Sequence, residues 1–91
     1  MITLRDDHPL LCVQRDGETT HLDVRPFLEA GGLPYSILMD CLNQLGPGER
    51  LVVHLPFEGE PLAEQARRLG FRVEPHRVEP AHWQLRFTLP G

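Results

Sequence analysis

The chain reads as an α+β domain. It is a two-layer α/β sandwich in which two helices cover one face of a four-stranded mixed sheet, in the order β-α-β-α-β-β. Three observations predict this. Apolar residues recur at helical spacing in two short segments and at period two in four others. Each helical segment opens near a proline and closes on a glycine. The chain has 91 residues, 41% of them hydrophobic and 24% charged, enough for one thin core of helices laid on a sheet. We therefore expect one domain over 1–91, with 1–19 as an extension or hairpin strand and 20–89 as the core.

Leu10-Leu11-Cys12-Val13-Gln14 has the composition of a short strand, and Arg15-Asp16-Gly17 is turn chemistry. The sequence leaves open whether this segment adds a strand to the sheet. The first core strand covers His21 to Arg25, with Leu22 and Val24 inward and His21, Asp23 and Arg25 outward. Pro26 ends it, and a loop runs through Gly31-Gly32. Pro34 opens a helix over about 34–45 whose buried face is Ile37, Leu38, Cys41, Leu42 and Leu45. Gly46 is expected to take a left-handed cap there, and Pro47 cannot continue the helix.

Arg50 to Leu55 forms the next strand, with Leu51, Val53 and Leu55 on one face and Val52 and His54 on the other. Pro61 opens a second helix over about 61–69, with Leu62, Ala66 and Leu69 inward and Glu64 and Arg68 as an outward pair. Phe71 to Val78 and Ala81 to Leu89 form an antiparallel pair around Glu79-Pro80. Matching the apolar faces pairs Val73 with Leu85 and Phe71 with Phe87, which sets His76 opposite His82.

The charge is −4 and no segment concentrates positive charge. Phosphate-neutralising binding to nucleic acid needs such clustering, so nucleic acid is not an expected partner, nor is an anionic membrane. The chain contains no lysine; its nine basic residues other than histidine are all arginine. Schiff-base chemistry, a lysine general base and a phosphate-loop lysine are excluded. Met1-Ile2-Thr3-Leu4-Arg5-Asp6-Asp7 has no apolar signal region. Two cysteines, Cys12 and Cys41, do not make a disulfide framework. A cytoplasmic location with reduced thiols is the expectation.

The element order resembles the TusA/SirA-like fold of small bacterial sulfur carriers, and the residues reinforce it. Leu22-Asp23-Val24-Arg25 resembles the opening strand of that group. Leu33-Pro34 and Leu45-Gly46-Pro47-Gly48-Glu49 match the start and end of its first helix. A closer resemblance is to an uncharacterised bacterial branch of domains of unknown function. That branch carries an LDVRP opening, an L-x-PGE-x-L turn, a PFE-x-x-PL loop and a GF start to the next strand. These are residues 22–26, 45–51, 56–62 and 70–71 here. Sulfur carriers place a cysteine immediately before the helix-opening proline, where the helix N-terminus stabilises a thiolate. Leu33 occupies that position and Ser36 replaces the second proline. The resemblance thus implies the scaffold without its nucleophile. It also implies a setting in redox, sulfur or nitrogen-oxide metabolism, since members of the branch occur beside hemerythrin-like domains and nitrogen-oxide genes.

No catalytic constellation follows from the residues. His21 and Asp23 share a face, but no nucleophile accompanies them. Gly46-Pro47-Gly48 is a helix stop and not a phosphate loop. Cys41 belongs to the core face. Cys12 is the one thiol left for a sulfur-carrier alternative. His54, His76 and His82 all point to the outer sheet face; they would bind a metal only if they converged within about 2.1 Å of it, and no cofactor is otherwise expected. Arg25, Glu29, Glu58 and Glu60 gather at the edge where strand C-ends meet helix N-termini. Arg25, Leu33, Pro34 and Glu58 are the ligand-binding candidates there, the glutamates arguing against a strongly anionic ligand. The leading expectation is a non-enzymatic binding or protein-interaction module, with Val52 and Val78 on the open face available to a homodimer or a protein partner.

Overall fold

The computed structural model describes residues 11–90. Leu10 and the N-terminal stretch assessed for a signal region lie outside them. The described chain is α+β, with a five-stranded mixed sheet and three helices in two layers. The strands are β1 (Cys12–Asp16), β2 (Thr19–Asp23), β3 (Arg50–Leu55), β4 (Arg72–Glu79) and β5 (His82–Thr88). The helices are α1 (Arg25–Glu29), α2 (Tyr35–Asn43) and α3 (Glu60–Arg68). The sheet order is β1-β2-β3-β5-β4. Only β2 and β3 run parallel; every other neighbouring pair is antiparallel. Among the described residues no helix is long and apolar enough to cross a membrane.

The alternation in sequence becomes a one-sided sheet. Leu22 on β2, Leu51, Val53 and Leu55 on β3, and Leu85 and Phe87 on β5 are all at most 2% exposed. They meet Leu38, Cys41 and Leu42 of α2 and Leu62, Ala63 and Ala66 of α3 in one core. Burying side chains of this size contributes roughly 1.5–3 kcal/mol each. Among the described residues the outer face carries no helix. Ala63 and Ala66 are fully buried, and their small side chains let α3 lie close to the strands.

Cys12–Asp16 supplies the extra N-terminal strand that the sequence left open, as the edge strand paired with β2, so the sheet has five strands. Four features differ from expectation. Leu69, expected on the inner face of the second helix, caps α3 and is 59% exposed. The loop after Pro26 contains a helical turn, α1, with proline in its first turn; a fixed φ suits a helix start as well as it ends a strand. Gly46 is not the left-handed residue after α2. Gln44 caps that helix in right-handed geometry and the positive φ, 81°, falls at Gly48. Gly46 instead donates its N–H to Glu49 Oε1 at 2.6 Å. Finally, the last hairpin is offset. Val73 pairs with Phe87 and His76 with Gln84. Pro80 and Ala81 form the turn, and a bulge lies between Arg77 and Glu79. A shift of two residues keeps every side chain on its face, so the inward set was legible while the partners were not.

Gly59 begins α3 at φ 71°, and a Cβ built there would lie 2.5 Å from Leu55 Cδ1. Gly48 has an equally left-handed φ with nothing within 4 Å. Gly48→Ala should cost only the conformational penalty, about 1–2 kcal/mol. Gly59→Ala should add an overpacking cost of about 1–3 kcal/mol. Denaturant unfolding of both variants measures the difference; equal losses would contradict the packing of α3 described here.

Candidate functional site

The outer face is ordered in rows that run across the strands. Cys12, Asp23, His54, Gln84 and His76 form one row by direct pairing through all five strands. Gln14, His21, Val52, Arg86 and Glu74 form the next. Asp16, Thr19, Arg50, Thr88 and Arg72 form the third. His82 stands at the opposite end of β5 from that third row, facing Glu79.

Three imidazoles join diagonally across β2, β3 and β5. His21 Nδ1 lies 3.0 Å from His54 Nε2. His54 Nδ1 lies 2.8 Å from His82 Nε2. The ring centroids are 5.3 and 5.1 Å apart. Each link is an N–H···N hydrogen bond, so each needs one protonated and one bare nitrogen. His54 spends both its nitrogens on its neighbours. The rings therefore form a chain and not a cage, and no set of three His, Cys, Asp or Glu side chains among the described residues already converges on a metal position. Burial lowers the pKa of His54 below its ordinary value of 6.5, and the neighbouring imidazoles push it the same way, partly opposed by Asp23.

Asp23 and Arg25 form the rim. Arg25 donates from its backbone N–H to Asp23 Oδ1 at 3.1 Å, from Nε to Oδ1 at 3.0 Å and from Nη2 to Oδ2 at 2.8 Å. This fork-on-carboxylate geometry fixes both side chains where β2 turns into α1. The hydrogen bonds from the Arg25 side chain hold the Asp23 carboxyl below its usual range. A shallow hollow of about 210 Å³ lies over the group, lined by Cys12, Gln14, His21, Asp23, Arg25, His54 and His82.

The structure divides the residues singled out in the sequence. Arg25 faces the histidine hollow. Leu33, 76% exposed, and Pro34 line a separate apolar hollow of about 220 Å³ with Tyr35 and Phe57. Glu58 is exposed and lines neither. His54 and His82 are hydrogen-bonded neighbours, while His76 is exposed on β4 and faces Gln84. His21 is the member that sequence reasoning left out of the histidine group. The signal was present: β2 alternation turns it outward, and a parallel β2–β3 pairing brings it beside His54. Val52 lies on the outer face but is only 6% exposed, and Val78 falls unpaired at the β4 bulge, 44% exposed. Cys41 is 1% exposed and burial pushes its thiol up to about 11, which removes it from thiolate chemistry at neutral pH. Cys12 is exposed on the edge strand.

The family described as Uncharacterized conserved protein (DUF2249) matches residues 21–89, and the chain belongs to it. That span holds the three linked histidines with Asp23 and Arg25, and leaves Cys12 outside. No curated protein and no solved structure matches the chain significantly.

His54 and Asp23 tie stability to pH in the same direction. His54 is depressed in the folded state, so the unfolded chain binds its proton first. Its contribution is complete above the ordinary value of 6.5 and is lost as pH falls from there through the lower folded value. The lowered Asp23 pKa adds a second loss further into the carboxylate range. Calorimetry from about pH 8 to about pH 3 should show a thermal midpoint that falls in two stages. His54→Gln should flatten the upper stage and Asp23→Asn the lower.

Proposed function

We propose that this domain is a non-enzymatic metal-binding module whose seat is the histidine hollow on the open sheet face, with a divalent transition ion as its ligand. The observation that carries this reading is the chain His21–His54–His82, with nitrogens 3.0 and 2.8 Å apart. Two imidazoles binding one ion at about 2.1 Å set their nitrogens roughly 3.0–3.4 Å apart. The existing links are already near that spacing. An ion takes the place of the proton in one link: the donor ring carries that proton on its other nitrogen instead, so both facing nitrogens are bare and a small rotation of the rings turns their lone pairs toward the ion. His54 is the indispensable member because it belongs to both links. Asp23, locked by Arg25, supplies negative charge at the rim, and imidazole nitrogens suit zinc, copper, nickel and iron.

The scaffold reading is part of the same proposal. We take the domain as a bacterial, cytoplasmic, TusA/SirA-like module of redox, sulfur or nitrogen-oxide metabolism. What supports the likeness is the β-α-β-α-β-β order after β1, with α1 as an added turn. The absence of a nucleophile at Leu33, where sulfur carriers hold cysteine, supports binding over transfer.

Titration of the full chain with Zn²⁺ by calorimetry, and with Co²⁺ by visible absorption, tests the seat. The expected result is about one ion per chain. His54→Ala should weaken binding by at least about tenfold; His21→Ala and His82→Ala should each weaken it less, and His76→Ala should change nothing. Stoichiometry near zero, or binding indifferent to His54, would sink the reading.

A second reading rests on one specific observation: Cys12 is exposed and lines the same hollow as His21. In it, Cys12 carries sulfur and the imidazoles handle the proton. Intact-mass analysis after exposure to inorganic polysulfide distinguishes the two. The metal-binding reading expects no stable adduct of about +32 Da, one sulfur on a thiol. An adduct lost in Cys12→Ser would favour the carrier.

A further inference from the structure

The outer face has a second cluster, away from the histidines. Arg50 on β3, Arg72 on β4 and Arg86 on β5 surround a hollow of about 310 Å³, completed by Thr88 and Glu74. Arg50 and Arg72 each pair directly with Thr88, from either side. Arg86 stands in the adjacent row, opposite Glu74. All three arginines are exposed. None makes an ion pair among the described residues; Arg86 Nη2 donates to the neutral Gln84 Oε1 at 3.2 Å.

This concentration is unusual for the chain. The protein carries a net charge of −4 and only nine cationic side chains. Three of them stand in one hollow with a single carboxylate. Cations so placed repel each other unless an anion or solvent intervenes. Strands lie about 4.8 Å apart, so Arg50 and Arg72 each stand about one spacing from Thr88 and about twice that from each other. A tetrahedral oxyanion over Thr88 would receive guanidinium forks from both sides and a third from Arg86.

Glu74 narrows the class of anion. A carboxylate accepts hydrogen bonds and donates none. It repels an anion without a proton and holds one that has kept a proton. Sulfate has none to offer. A phosphate monoester retains one up to about pH 6, and inorganic phosphate, with a third ionisable proton, keeps one well above that.

We propose that Arg50, Arg72, Arg86 and Thr88 form a seat for a phosphate group, and that Glu74 selects it over sulfate by accepting a hydrogen bond from the O–H that the phosphate retains. The seat is separate from the histidine hollow and does not depend on metal binding. It takes inorganic phosphate or a small phosphate monoester.

The test is a titration of the ¹⁵N-labelled full chain at about pH 6 and constant ionic strength. Inorganic phosphate, glycerol 3-phosphate and sulfate are the probes. Saturable shifts at the amides of Arg50, Arg72, Glu74, Arg86 and Thr88 are expected, with at least one phosphate compound bound about tenfold more tightly than sulfate. The tighter of the two phosphate compounds identifies the source. Arg72→Gln and Arg50→Gln should each weaken binding about three- to tenfold. Glu74→Gln should erase the preference over sulfate. His54→Ala should leave the titration as it is, so failure of the metal reading leaves this one standing. Unsaturable shifts, equal response to sulfate, or indifference to Arg50, Arg72 and Glu74 would overturn the proposal.

Discussion

The packing of α2 and α3 against one face of β3 governs the rest of the structure. β3 lies at the centre of the sheet, with β2 parallel on one side and β5 antiparallel on the other. Leu51 and Leu55 are fully buried and Val53 is 2% exposed. Because side chains alternate along a strand, committing these three to the helical layer commits Arg50, Val52 and His54 to the other face. The same alternation on β2 and β5 turns out His21, Asp23, His82, Gln84 and Arg86. The polar face is thus the complement of the core, and a register slip of one residue would exchange them.

That constraint explains how much of the molecule was legible in its sequence. Alternation from Arg50 to Leu55 was unambiguous, and both inward and outward sets emerged as read. Helix α2 was legible because Leu38, Cys41 and Leu42 recur at helical spacing behind a proline. Helix α1 was not: five residues cannot establish a period, and Pro26 serves equally to stop a strand or start a helix. The last hairpin shows a different limit. Alternation fixes which face a residue occupies but is blind to a shift of two, so His76 was set opposite His82 when it pairs with Gln84. The histidine group was therefore half legible. His54 and His82 were identified, but the link to His21 requires knowing that β2 and β3 lie side by side and parallel. The arginine group shows the same limit, because Arg50, Arg72 and Arg86 are far apart in sequence and meet only through the order β3-β5-β4.

Asp23 and Arg25 connect the architecture to the site. β2 ends where the backbone N–H of Arg25 meets the carboxylate of Asp23. The side chain of Arg25 then folds back onto the same carboxylate and stays in the histidine hollow, instead of extending toward Leu33 and Pro34. Expectation had placed Arg25 with those residues at one ligand edge. The edge is instead split: a polar hollow over the sheet and an apolar one between the helix entrances. Val24, 1% exposed, anchors the turn in the core, and its N–H reaches the carbonyl of His54 at 3.3 Å. The backbone that shapes this corner is thus bonded to the strand that carries the central imidazole.

The two ends of the open face make opposite electrostatic demands. At one end, imidazoles and a carboxylate leave room for a cation, and a permanent positive charge there would compete with it. Among the described residues the only such charge lining that hollow is Arg25, and Asp23 already binds it. At the other end, three guanidiniums favour an anion and would repel a cation. Between them Val52, 6% exposed, occupies the middle row beside His21 and Arg86. An apolar side chain offers neither hydrogen bond nor charge, so along β3 nothing polar stands between His54 and Arg50 on this face. Since Val52 must face outward once Leu51 and Val53 face inward, the separation of the two ends follows from the same alternation that builds the core.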